Sequence, residues 1–273
     1  MSAVPARAAM PPPAPRYTGA VNFRIRAITL DLDDTLWPFA PIGARIERVL
    51  DDWLRAHSPR TAERFPIPVM RELRDRIFAE RTDLAHDMSE LRRLTLRTAF
   101  EASGEADPHV LAETAYDVFF AERNRVECYP DAIDALARLS ASLPVAALSN
   151  GNADLVAIGL DHHFAFQLGA REHGAAKPEA SIFLAACDRL GCAPEEVLHV
   201  GDHIEMDVLG AARAGLRTAW VHRDDARERH PAWPHDDIAP DLIVPDLAAL
   251  ADLIERMPDI GTRHATHSQE HHP

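Results

Sequence analysis

From Phe23 onward, short apolar runs alternate with amphipathic stretches, and no other feature restricts the fold of this chain so strongly. The runs at 25–32, 145–149, 166–169, 197–201, 217–221 and 242–244 are short and apolar, as strands buried on both faces are. Between them, 131–142, 179–190, 205–214 and 247–256 carry helical spacing. Alternation of this kind predicts an α/β fold, a doubly wound, Rossmann-like parallel sheet with helices on both faces. It is interrupted once. Residues 41–128 hold helical patterns at 42–56, 68–81, 89–102 and 108–123 and no convincing strand. The expected organisation is therefore a core made of 23–40 and 129–258, with an all-helical domain, 41–128, inserted into it. Ser89 is expected to cap its helix, Gly104 to follow that helix, and Asp107-Pro108 to start the next.

The ends of the chain read differently. Residues 1–22 are rich in Pro and Ala and are expected to be disordered; they lack the continuous apolar stretch of a signal peptide. Residues 259–273 hold four of the fifteen histidines and are expected to form a flexible tail. No apolar run approaches the ~20 residues of a membrane span. The formal net charge of −14 argues against a nucleic-acid or anionic-membrane surface, which needs a basic patch. Three cysteines, Cys128, Cys187 and Cys192, form no CxxC pair and fit a reducing, cytoplasmic setting.

The first apolar run ends in "ITLDLDDTLW", residues 28–37, with three aspartates in four positions. On an extended strand, residues two apart share a face, so Asp31 and Asp33 point the same way. Open α/β sheets bind ligands beyond the carboxyl ends of their strands. Two carboxylates held there need a shared proton or a cation, and a hard divalent ion prefers such oxygens. The alternative is a solvated turn with Asp34 as a cap. Three further segments bear on that choice. "VAALSNGN", 145–152, ends a strand in Ser149, with Asn150 and Gly151 opening a turn whose hydroxyl and backbone N–H groups can hold an anion. "AAKPEASIF", 175–183, puts Lys177 just before a helix start. "VLHVGDHIEMD", 197–207, ends a strand in Gly201-Asp202, with Asp207 five residues on.

This set, in this order, resembles the haloacid dehalogenase superfamily. "DLDDT" at 31–35, Ser149, Lys177 and "GDHIEMD" at 201–207 are similar to its four motifs, and the helical block between the first two resembles its C1-type cap. The resemblance implies that Asp31 is the nucleophile and Asp33 the general acid and base. It also implies that Mg2+ is held by Asp31, the Asp33 carbonyl and Asp202. Phosphate would be held by Ser149, Asn150 and Lys177, with Asp207 and Thr35 in support. Asp33 favours phosphate over halide chemistry, because the dehalogenases of the superfamily lack this second aspartate. "LSNGNADLVAIGLDHHFAFQLGAREHGAAKP", "VLHVGD" and "AHDMSELRR" are further similar to bacterial phosphatases acting on FMN and on the riboflavin precursor 5-amino-6-(5-phospho-ribitylamino)uracil. The resemblance therefore implies a small phosphorylated metabolite as substrate. A broader sugar-phosphate or nucleotide phosphatase, a 2-haloacid dehalogenase and a non-catalytic binding module stand as alternatives. Trp37 and Phe39 could stack on a substrate ring or seal the hinge, and His86, Asp87 and Arg92 are candidate contacts from the cap.

Overall fold

The structure is a computed structural model, which describes residues 23–223 and 232–257. The expectations for 1–22 and for the tail at 259–273 lie outside the described residues.

Strand β1 (Ala27–Leu30) is wholly buried. Its side chains alternate: Ile28 and Leu30 join one apolar cluster, Ala27 the cluster on the opposite face. The chain then makes a turn in which the Asp34 N–H donates to the Trp37 carbonyl at 2.7 Å, with Asp34 at φ 59°. Five helices follow: α1 (Phe39–His57), α2 (Pro59–Arg64), α3 (Ile67–Glu80), α4 (Met88–Ala102) and α5 (Pro108–Arg123). The remainder alternates as α6 (Ala132–Ser142), β2 (Val145–Ser149), α7 (Leu155–Ile158), β3 (Phe166–Gly169), α8 (Ala170–His173), α9 (Ala180–Leu190) and β4 (Val197–Gly201). A π-helical stretch, Ile204–Leu209, runs into α10 (Gly210–Arg213), followed by β5 (Arg217–Val221), β6 (Leu242–Val244) and α11 (Leu247–Arg256).

The six strands are parallel, in the order β3-β2-β1-β4-β5-β6. The chain winds outward from β1 through β2 to β3, then returns to the other side of β1. That reversal opens a crevice at the carboxyl ends of β1, β2 and β4, where doubly wound sheets bind ligands. Register brings the three ends level: Leu30 pairs with Ala147 on one side and Val200 on the other.

The helical insertion is packed on the core. Its α1 buries Ile42, Ile46, Leu50 and Leu54, one stripe at helical spacing, and α5 buries Ala112, Ala115, Tyr116 and Phe119. These residues belong to the same apolar cluster as Ile28, Leu30, Leu136 and Leu250, so the insertion and one face of the sheet share a core. Where the chain crosses between them, the Tyr129 N–H donates to the Leu36 carbonyl at 2.9 Å. Arg223 ties the same crossing together: it donates to the Thr35 carbonyl at 2.9 Å and to both Asp131 oxygens at 2.8 and 3.1 Å.

Several local expectations are revised. The first strand is four residues long rather than eight, shorter by two residues at each end. The helix expected from 42 starts at Phe39, whose N–H is accepted by Asp34 at 2.9 Å. Helix α4 is capped by Asp87, not Ser89; Asp87 accepts the Glu90 N–H at 2.9 Å. Ser89 is instead buried inside the helix, accepting the Tyr116 hydroxyl at 2.8 Å. The helix expected at 205–214 opens as a π-helical stretch.

Candidate active site

The crevice holds a buried charge network built from three strand ends. The Asp31 N–H continues the β1–β4 ladder by donating to the Val200 carbonyl at 2.9 Å, and this aims its carboxylate into the crevice. Lys177 Nζ donates to Asp31 Oδ1 at 2.5 Å and to Asp207 Oδ1 at 2.6 Å, and Lys177 is 3% exposed. A buried ammonium needs such pairing to offset its desolvation. Burial works against the Lys177 charge, but Asp207 and Asp31 outweigh it and hold its pKa above the usual lysine range. Burial also works to raise the Asp207 carboxyl, yet Lys177 and His199 hold it well below the usual carboxylate range. The remaining Asp207 oxygen accepts the His203 N–H at 3.0 Å.

His199, within β4, lies 3.1 Å from Asp207 Oδ1 through Nε2 and 2.9 Å from the Thr29 hydroxyl through Nδ1. Burial pushes its pKa down, which favours the neutral ring. The tautomer with its proton on Nε2 satisfies both partners. Asn150 clamps the lysine backbone, donating to the Lys177 carbonyl at 2.8 Å and accepting the Lys177 N–H at 2.7 Å.

Asp31, Asp202 and Asp207 offer oxygens that lie within 4.8 Å of one another. Burial pushes Asp31 up to about 7, with the neighbouring carboxylates adding to the effect. Burial and the charges of Asp207 and Asp31 likewise push Asp202 up to about 8. Carboxylates destabilised in this way suit a hard divalent cation, which takes oxygen ligands. Both Asp207 oxygens are already engaged, so Asp31 and Asp202 are the better placed donors. The Thr35 hydroxyl donates to Asp202 Oδ1 at 3.2 Å.

Asp33 sits in the turn beyond β1. Trp37 Nε1 donates to its Oδ1 at 2.8 Å, and Arg123 Nη2 donates to its Oδ2 at 2.6 Å. On the neighbouring loop the Ser149 hydroxyl accepts the Gly151 N–H at 3.0 Å. A Cβ on Gly151 would lie 2.8 Å from Asp33 Oδ2, 3.1 Å from Arg123 Nη2 and 3.3 Å from the Ser149 hydroxyl. These groups converge on one point, and a side chain at Gly151 would have to displace the Asp33 carboxylate.

Other candidates fall elsewhere. The Trp37 side chain is fully buried against Asp33 and cannot stack on a ligand. Phe39 is 39% exposed, with the Arg123 guanidinium 5.3 Å from its ring centre. The Asn150 side chain is spent on the Lys177 backbone. Asp87 caps α4 and pairs with Arg171 of the core at 3.2 Å. Arg92 turns into the insertion, with its guanidinium 4.7 Å from the Phe119 ring centre, in a cavity also lined by Glu47, Asp51 and Arg74. Burial pushes its pKa down to about 10. His86 is half-buried between the Thr82–Leu84 turn and α4.

Two residues escaped the sequence reading, and each had left a signal. Arg123 continues the buried stripe of α5 by one turn after Phe119, where an apolar residue belongs. His199 is a polar residue inside a strand buried on both faces, in register with Thr29. Both anomalies mark side chains that need a partner, and both partners lie in the crevice.

The fold and the crevice together define a doubly wound α/β enzyme whose centre is built on strand-end carboxylates. The chain belongs to the haloacid dehalogenase-like hydrolases; the family model matches residues 25–215 of 273. It is 31% identical over 233 residues to the 5-amino-6-(5-phospho-D-ribitylamino)uracil phosphatase YigB of Escherichia coli (strain K12), covering 85% of this chain and 97% of that protein. It is 26% identical over 243 residues to the glyceraldehyde 3-phosphate phosphatase of Methanopyrus kandleri, covering 85% and 98%. A similar solved structure is a 2-haloacid dehalogenase from Pseudomonas syringae pv. Tomato DC3000, with a TM-score of 0.77, 34% identity and coverage of 85% and 99%.

Proposed function

We propose that this protein is an Mg2+-dependent phosphomonoester hydrolase acting on a small phosphorylated metabolite, with FMN and 5-amino-6-(5-phospho-ribitylamino)uracil as the first candidates. The observation that carries the reading is Asp33. Its carboxylate stands beside the Ser149 loop, two residues from Asp31. Displacement at phosphorus with a poor leaving group calls for such a proton donor.

In this reading an Asp31 oxygen attacks phosphorus in line, and the bond from phosphorus to the leaving oxygen breaks. Asp33 gives its proton to that oxygen. Water then attacks the aspartyl-phosphate, Asp33 takes the water proton, and phosphate leaves with the Asp31 carboxylate restored. Ser149, the Asn150 main-chain N–H and Lys177 hold the phosphoryl oxygens, while Asp207 and His199 hold Lys177 in place. Asp31, Asp202 and the Asp33 carbonyl would bind the divalent ion, which when bound offsets the charge of carboxylates and phosphate.

Halide displacement from a 2-haloacid is the second reading, favoured by the Pseudomonas syringae neighbour. One experiment separates the two. Purified protein is given FMN, the ribitylaminouracil phosphate, nucleotides, sugar phosphates and 2-haloacids, with Mg2+ or EDTA, and released phosphate and halide are measured. The expected outcome is Mg2+-dependent phosphate release, absent in Asp31→Asn and reduced about 10²–10⁴-fold in Asp33→Asn. Halide release that survives Asp33→Asn, with no phosphate from any ester, overturns the proposal.

A further inference from the structure

The chemistry proposed for Asp33 needs its carboxylate held at one angle, yet nothing in β1 can do this. The strand ends at Leu30, and Asp33 lies in a turn whose next residue has a positive φ. Its two oxygens are instead gripped separately. Trp37 takes Oδ1 from within the same turn. Arg123 takes Oδ2, and it comes from the far end of the helical insertion, 90 residues along the chain.

The arginine is an expensive residue to keep there. Its side chain is 2% exposed, and it stands on the stripe of α5 that otherwise buries alanine, tyrosine and phenylalanine. A guanidinium taken out of water needs its charge and donors matched. Nη2 meets Asp33 and Nε meets the Asn152 side chain at 3.2 Å, but Nη1 is buried with no hydrogen-bond partner. A side chain selected for stability alone would be apolar at this position. Arg92, the other arginine of the insertion with an unpartnered buried nitrogen, lies in the insertion's own interior and reaches none of the crevice residues.

Neighbouring contacts make the grip depend on how the insertion is seated. Asn152 also donates to Ser89 of α4 at 3.3 Å, and Asn124, next to Arg123, accepts the Asp154 N–H of the same core loop at 2.9 Å. Arg123 is thereby fixed to the loop after β2 on one side and to Asp33 on the other. A carboxylate oxygen has two lone pairs, so each Asp33 oxygen keeps one for a proton while its donor holds the plane of the group.

We infer that Arg123 is a positioning residue for the reaction: carried by the helical insertion, it orients the Asp33 carboxylate for proton transfer to the leaving oxygen. This rests on the phosphatase reading above. It makes proton donation conditional on a seated insertion, whereas attack by Asp31 depends on core residues alone.

The test compares two leaving groups. An alkyl phosphate needs its leaving oxygen protonated; p-nitrophenyl phosphate expels a stable anion and does not. Because kcat/KM reports steps up to departure of the leaving group, loss of an oriented acid weighs on the alkyl ester. In Arg123→Met, kcat/KM for the alkyl phosphate is expected to fall about 10²-fold and that for the aryl phosphate less than about 10-fold. KM for the alkyl ester should hold, since Arg123 acts through Asp33. Arg123→Lys, which keeps a cation but not the planar fork, should recover part of the loss. It also carries the same comparison if the methionine variant does not fold. Equal losses on both esters, or none, overturn the inference while leaving the phosphatase reading intact. Wild-type protein inactive on both esters removes that reading first, and this inference with it.

Discussion

Gly201 shows how little room a single residue has at the centre of this protein. A Cβ there would lie 2.3 Å from the Asp207 carboxyl group, so the last residue of β4 must be glycine for Asp207 to reach back to Lys177. Gly201→Ala must push Asp207 aside and free the ammonium it holds. The expected cost is about 1–3 kcal/mol of stability, the usual penalty for overpacking a core. Phosphatase activity should fall with it, read by urea unfolding and phosphate release on the same sample. Unchanged unfolding would show that the loop yields. The aspartates were legible in the sequence because carboxylates at the ends of apolar runs are conspicuous. The roles of Asn150 and Trp37 were not, because a polar or aromatic residue in a turn can face ligand or backbone, and here each is consumed by a neighbour.

Among the elements, the crossing between insertion and core is tied from several separate segments. Asp131, just before α6, receives both Arg223 donors and the Leu247 N–H at the start of α11. Burial works to raise its pKa, but Arg223 outweighs this and holds it below the usual carboxylate range. A carboxyl depressed in the folded state binds its proton more readily once unfolded. Its contribution is therefore present above the unfolded pKa, near 4, and is lost as pH falls through the folded value. Asp131→Asn should cost about 1–3 kcal/mol at pH 7, and the gap from wild type should close below about pH 4. Urea midpoints across pH measure it, and a gap constant with pH would refute the ion-pair origin. Helix positions were readable from periodicity, as α5 shows at 108–123. Helix α2 was missed because six residues give too little period to see.

At the scale of the whole molecule, the carboxylate cluster links stability to pH and, in the proposed reading, to metal. Asp31 and Asp202, pushed up to about 7 and about 8, keep protons in the folded protein that the unfolded chain releases near pH 4. Between those limits the folded state binds more protons, so stability of the metal-free protein falls as pH rises. A divalent ion needs these groups ionised and replaces their protons. Thermal unfolding should show a larger Mg2+ stabilisation at pH 8 than at pH 5, and Asp202→Asn should abolish most of the difference. An Mg2+ effect equal at both pH values would argue against the ion binding at this cluster. Among the described residues no helix is long and apolar enough to cross a membrane.

The sequence alone determined that a parallel sheet would form, that an all-helical block would interrupt it, and that acidic, hydroxyl and lysine side chains would gather at the strand ends. Those are local properties: apolar period, turn residues and the position of a polar group after a strand are written in consecutive residues. Only the tertiary structure decided that Arg123 meets Asp33, that His199 supports Asp207, and that Arg92 turns away from the crevice. Each of those depends on which helix face packs against which loop, set by burial summed over residues far apart in the chain. No stretch of neighbouring residues contains that sum.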